Sequence, residues 1–91
     1  MLSLDSNRLR QLDDLCFFPC QNLRYLSLKN NQIEDLPNSV FDLSHLLVLD
    51  LSINELTRIP EQIGRLQRLE KFFLFQNKIT VFPTQMNIPK L

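Results

Sequence analysis

Apolar and polar positions along the chain follow a template that recurs. Leu23-Arg24-Tyr25-Leu26-Ser27-Leu28-Lys29-Asn30-Asn31-Gln32-Ile33 carries apolar groups at its first, fourth, sixth and eleventh positions and asparagine at the ninth. The template returns 23 residues later as Leu46-Leu47-Val48-Leu49-Asp50-Leu51-Ser52-Ile53-Asn54-Glu55-Leu56. A further 23 residues on it reads Leu69-Glu70-Lys71-Phe72-Phe73-Leu74-Phe75-Gln76-Asn77-Lys78-Ile79. A clipped copy, Leu2-Ser3-Leu4-Asp5-Ser6-Asn7-Arg8-Leu9, stands at the start. The alternation in Leu26-Ser27-Leu28 predicts a short strand with both leucines on one face and Tyr25, Ser27 and Lys29 on the other. One such strand cannot bury its leucines alone, so the copies are expected side by side in a parallel sheet. Two columns fill its inner face: Leu4, Leu28, Leu51, Leu74, and Leu2, Leu26, Leu49, Phe72.

Asn7, Asn31, Asn54 and Asn77 mark where each copy turns off its strand. Bending there strands backbone groups inside, and a buried group left unpaired costs roughly 1–3 kcal/mol. An amide side chain both donates and accepts, so this column is expected to satisfy the backbone of its own and the next turn. The return segments Leu36-Pro37-Asn38-Ser39-Val40-Phe41-Asp42-Leu43 and Ile59-Pro60-Glu61-Gln62-Ile63-Gly64-Arg65-Leu66 run in register. Proline suits the first turn of a short helix, which predicts a helical or 3-10 turn in each, with Val40, Leu43, Ile63 and Leu66 inward. Gly64 is expected to ease the exit towards the next strand. The first return segment, Arg10 to Asn22, is less regular: Leu12 aligns with Leu36, Ile59 and Phe82, but Asp13 replaces the proline. Cys16, Phe17, Phe18 and Cys20 are expected to fill it as core and thiol groups. In the last, Phe82 to Leu91, Pro89 falls where Leu43 and Leu66 stand, so either the tail peels off as a crude cap or the chain is cut from a longer array.

The Leu-x-x-Leu-x-Leu-x-x-Asn-x-Leu unit is the leucine-rich repeat pattern. With the tails Leu36-Pro37-Asn38-Ser39-Val40 and Ile59-Pro60-Glu61-Gln62-Ile63, the chain resembles a particular branch of that family. It is similar to the intracellular Ras-suppressor and Scribble-type scaffolds, and to bacterial proteins built on a Leu-Pro-x-x-Ile-Gly unit. The resemblance covers nearly the whole chain. It departs at Arg10 to Asn22 and at both ends, which lack a capping motif. It implies protein binding on a concave strand face, with no catalytic residues to carry over. The expected fold is an α/β leucine-rich repeat solenoid of about four repeats, near 1–22, 23–45, 46–68 and 69–91, forming one domain over 1–91. The parallel sheet would line the concave face and short helical or 3-10 turns the convex one.

Composition narrows the partner. Ten basic and ten acidic residues leave no net charge, which argues against nucleic acid or an anionic membrane. No stretch approaches the ~18 apolar residues of a membrane span, and Met1-Leu2-Ser3-Leu4-Asp5 lacks the features of a signal peptide. The single glycine leaves no phosphate-cradling loop. Cys16 and Cys20, four apart, leave a disulfide open, but secreted solenoids of this kind usually carry more cysteines, so two buried or half-buried thiols and a cytoplasmic location are expected. A zinc site needs four ligands, and His45 lies more than a repeat from the cysteines. No metal, no cofactor and no catalytic residue is expected. His45, Asp13-Asp14 and Glu34-Asp35 read as solvated or locally bonded groups, and Arg65, Arg68 and Lys71 as balanced by Glu61 and Glu70.

The expected function is therefore a non-catalytic protein-protein interaction module. One alternative is the recognition or autoinhibitory segment of a larger enzyme, a kinase or ubiquitin ligase, whose catalytic domain lies elsewhere; another is a structural remnant. Outward strand positions lose polarity along the array, which singles out Tyr25, Lys29, Val48, Asp50, Ile53, Lys71, Phe73 and Phe75 as the partner-binding surface. Self-association through the uncapped ends is a further expectation.

Overall fold

The computed structural model describes residues 2–3, 5–6, 22–36 and 38–82. Among them, strands β1 (Leu2–Ser3), β2 (Tyr25–Ser27), β3 (Val48–Asp50) and β4 (Lys71–Phe73) form one parallel sheet in the order β1-β2-β3-β4. The register follows the template: Leu2 pairs with Leu26, Leu26 with Leu49, and Leu49 with Phe72. Leu26, Leu28, Leu49 and Leu51 are fully buried. Expectations for Leu4, Asn7, Leu12, Pro37, the cysteine segment and the tail from residue 83 onward concern positions outside the described residues.

Between the strands the chain returns through two 3-10 helices, Asn38–Asp42 and Glu61–Arg65. Val40, Leu43, Ile63 and Leu66 all point into the core, and Phe41 is buried with them. Pro60 differs from the expectation. It stands before the helix as an extended cap (φ −73°, ψ 158°) rather than in its first turn, and its carbonyl accepts from the Ile63 N–H at 3.1 Å. Gly64 also differs, since its φ is not positive and a Cβ there would meet nothing within 4 Å. The bend at this position needs no glycine.

Asn54 and Asn77 work backwards along the array rather than forwards. Asn54 Nδ2 donates to the carbonyls of Leu51 and Ser52 in its own copy and of Leu28 in the preceding one. Its Oδ1 accepts from Ile33 N–H, also one copy back. Asn77 repeats this with Leu74, Phe75, Leu51 and Leu56 N–H. The expected direction, towards the next turn, is thus reversed. Asn31 Nδ2 likewise donates to the Leu28 and Lys29 carbonyls of its own copy.

A left-handed residue precedes each of these bends. Ser6, Asn30, Ile53 and Gln76 have φ of 60°, 60°, 57° and 55°. Asparagine tolerates this region, whereas a β-branched side chain there is strained. Ile53 is the costly member of the column.

Candidate functional site

With the leucines committed to the core, the strands leave an outer face whose rows are set by the parallel register. One row runs Tyr25, Val48, Lys71 and the next Ser27, Asp50, Phe73. Beyond the strand ends come Ser52 and Phe75, joined by a hydrogen bond from the Phe75 N–H to Ser52 Oγ at 3.1 Å. Ile53 N–H then donates to the Phe75 carbonyl at 2.7 Å.

Six of the eight candidate binding residues, Val48, Asp50, Ile53, Lys71, Phe73 and Phe75, therefore share two adjacent strands and their exits. Tyr25 and Lys29 lie one strand further away. The Phe73 and Phe75 rings stack with centroids 6.2 Å apart and planes 28° from parallel. Phe73 is half-buried, while Phe75 is 65% exposed, more than any other large apolar side chain among the described residues. Tyr25, Val48, Asp50 and Ile53 are half-buried; Lys29 and Lys71 are exposed, and neither ammonium has a partner among the described residues.

The serines of this face behave otherwise. Ser27 and Ser52 count as outward by alternation but are 3% and 2% exposed. Ser27 Oγ donates to Asp5 Oδ1 at 2.6 Å, and the same carboxylate oxygen accepts from Lys29 N–H at 2.8 Å. Asp50 Oδ1 accepts from the Ser52 N–H at 2.9 Å. These groups serve the backbone, so the face is less polar than its composition suggests. Their small size at outward positions beside Asp5 and Asp50 was the available signal.

Charged groups away from this face pair across copies. Arg58 meets Asp35 at 3.9 Å, Arg65 meets Asp42 at 3.5 Å and Lys78 meets Glu55 at 3.0 Å. Arg68 bonds His45 Nδ1 at 3.0 Å. Arg65 and Arg68 thus each reach a group one copy earlier. His45 is bonded through the stack, not locally. Among the described residues there is no group of three or more His, Cys, Asp or Glu side chains that could hold a metal ion, and no helix long and apolar enough to cross a membrane. An open groove beside the second 3-10 helix, lined by Ile59, Pro60, Gln62, Gly64, Val81 and Phe82 among others, carries the other exposed apolar groups.

A parallel sheet stepping by 24 and then twice by 23 residues, with a 3-10 return between β2 and β3 and between β3 and β4 and an amide at Asn31, Asn54 and Asn77, defines a repeat protein. The family model described as Leucine rich repeat matches residues 1–42 and 21–79, and the chain belongs to the leucine-rich repeat family. Domains of this family generally mediate protein-protein interaction and are typically non-catalytic. Comparison with curated proteins finds no significant match.

Proposed function

We propose that this chain is a non-catalytic protein-binding module, a solenoid of about four repeats over residues 1–91, and that its partner seats on the concave outer face of the sheet near β3 and β4. The Phe73–Phe75 stack carries this reading: two aromatic rings on the side of the sheet that the core does not use. Aromatic groups that can be desolvated at the centre of a contact supply much of the energy of protein interfaces. Ile53 supports the same patch. It holds an apolar group at the rim in a left-handed conformation that its column neighbours occupy with Ser6, Asn30 and Gln76, and such strain gathers at functional sites.

The test is the double variant Phe73→Ser, Phe75→Ser. It is expected to keep the wild-type circular dichroism spectrum and to bind a partner captured by the wild-type chain at least ~2 kcal/mol more weakly. Unfolding of the variant would assign both rings to the core. Unchanged affinity would move the working surface elsewhere.

A further inference from the structure

Away from the outer rows of the sheet, cations are paired with the copy before them. Arg58, Arg65 and Lys78 meet Asp35, Asp42 and Glu55, and Arg68 bonds His45. On the outer rows Lys29 and Lys71 are exposed and have no such partner among the described residues. Their neighbours in register explain this. Lys71 shares its row with Val48 and Tyr25, and Lys29 stands beside Ser52. Asp5, on the other side of Lys29, bonds Ser27 Oγ and the Lys29 N–H rather than the ammonium.

The two lysines face each other diagonally across β3, with Asp50 between them in register. Two strand spacings of about 4.8 Å and four residue steps of about 3.3 Å put their backbones ~16 Å apart. Asp50 is half-buried; its Oδ1 accepts from the Ser52 N–H, and its other oxygen has no partner among the described residues. The opposite diagonal runs from Tyr25 to Phe75 through the same point, with Val48 and Phe73 beside it. Strand neighbours join at a strand's sides, whereas these groups stand on its face. The pattern is therefore independent of what flanks β1 or β4.

Resting on the reading that a partner seats on this face, we propose that the partner presents an extended acidic segment to it. That segment carries an aromatic side chain between two carboxylates, which meet Lys29 and Lys71, and a backbone or hydroxyl donor for Asp50. Alternate side chains of an extended peptide face one way, so positions i, i+2 and i+4 present carboxylate, ring and carboxylate over about 13 Å. The flexible lysine stems cover the remainder. The ring then lies over Asp50, among Val48, Phe73 and the two ends of the aromatic diagonal. A nucleic-acid backbone fits poorly, because its phosphates offer no donor and repel Asp50. Exposed charges act on specificity more than on raw affinity, so the segment is chosen by charge rather than held tightly.

Titration of the isotope-labelled chain with the end-capped peptide Glu-Ser-Phe-Ser-Glu, followed by amide chemical shifts, tests this. Shifts are expected at Lys29, Val48, Asp50 and Phe73. Lys-Ser-Phe-Ser-Lys and a single-stranded oligonucleotide are expected to bind at least about tenfold more weakly. Lys29→Glu with Lys71→Glu is expected to invert the order of the two peptides at an unchanged circular dichroism spectrum. No binding of the acidic peptide, equal or tighter binding of the lysine peptide or the oligonucleotide, or an order that survives the glutamates would each overturn the proposal. The Phe73→Ser, Phe75→Ser variant separates the two readings. Affinity lost with the rings but indifferent to the lysines would keep the aromatic surface and exclude the acidic partner. Affinity set by the lysines and indifferent to the rings would support the acidic partner and exclude the aromatic anchor. Should the glutamate variant unfold, Lys29→Gln with Lys71→Gln replaces it and is expected to bring the two peptides level.

Discussion

Truncating Asn54 to alanine removes an amide that is 5% exposed and engaged on both sides. Its Nδ2 reaches the carbonyls of Leu28, Leu51 and Ser52 at 3.0, 3.0 and 3.2 Å, and its Oδ1 accepts from Ile33 N–H at 3.1 Å. The four losses are unequal. Leu28 keeps a bond from Asn31 Nδ2, Leu51 keeps one from Asn77 Nδ2, and Ser52 keeps one from Asn30 N–H. Ile33 N–H keeps nothing among the described residues, and Ile33 is fully buried. One orphaned buried donor costs about 1–3 kcal/mol, so the variant should lose about 2 kcal/mol, dominated by that single group. Urea unfolding followed by circular dichroism should show the midpoint falling by about 1–2 M at an unchanged slope of ~1–2 kcal/mol/M. Asn77→Ala orphans Leu56 N–H in the same way, but Asn77 is half-exposed and water can replace it. Its loss should be smaller, about 1 kcal/mol. A wild-type midpoint for Asn54→Ala, or a greater loss at Asn77, would refute the reasoning.

Three other perturbations separate backbone effects from surface charge. Ile53→Asn places at φ 57° a residue that tolerates the left-handed region, as Asn30 already does, and should stabilise by about 0.5–1 kcal/mol; a lower melting temperature would show that the Ile53 side chain contributes more by packing than it costs in strain. Gly64→Ala adds a methyl group into open space at a residue without positive φ and should stabilise by about 0.4–1 kcal/mol through the unfolded chain, with a fall in the urea midpoint as the contrary result. Arg65→Ala breaks an ion pair whose side chains are 60% and 69% exposed and should change stability by less than ~1 kcal/mol, so a larger loss would mean that the stem of Arg65 packs.

The inner face is legible because burial and spacing are coupled: a leucine at a fixed step must stack on its counterpart or face water. Leu26, Leu49 and Phe72 align from their spacing alone. Ser27 and Ser52 do not yield in this way, because alternation specifies which way a side chain points and not whether it is covered. Their burial depends on Asp5 and on the Phe75 N–H, one copy to either side. The direction of the Asn bonds is equally hidden, since an amide offers the same groups to both neighbours and only the handedness of stacking decides. The left-handed column is a backbone property, and Ile53 is the residue least expected to reveal it. The pairs of Asp35 with Arg58 and Asp42 with Arg65 lie in the sequence at the repeat step. They escape notice when charges are balanced only against their near neighbours.

The same step that fixes the core also limits what the outer face can vary. Of the outward positions, Ser27 and Ser52 are held by hydrogen bonds that tie neighbouring copies together, and Asp5 and Asp50 accept from backbone N–H groups. Changing any of these disturbs the stack. Tyr25, Val48 and Lys71 sit one residue earlier than the buried leucine positions and have no such duty among the described residues. Phe73 and Phe75 occupy places that the earlier copies give to bonded polar groups: Ser27 and Asp50 for the first, Ser52 for the second. At β4 those polar contacts give way to two stacked rings, and the backbone there loses nothing because Ser52 still accepts from Phe75 N–H. If the partner seats as proposed, β4 is the strand among the described residues where this sheet exchanges a structural side chain for a contact surface at least cost to its own stacking.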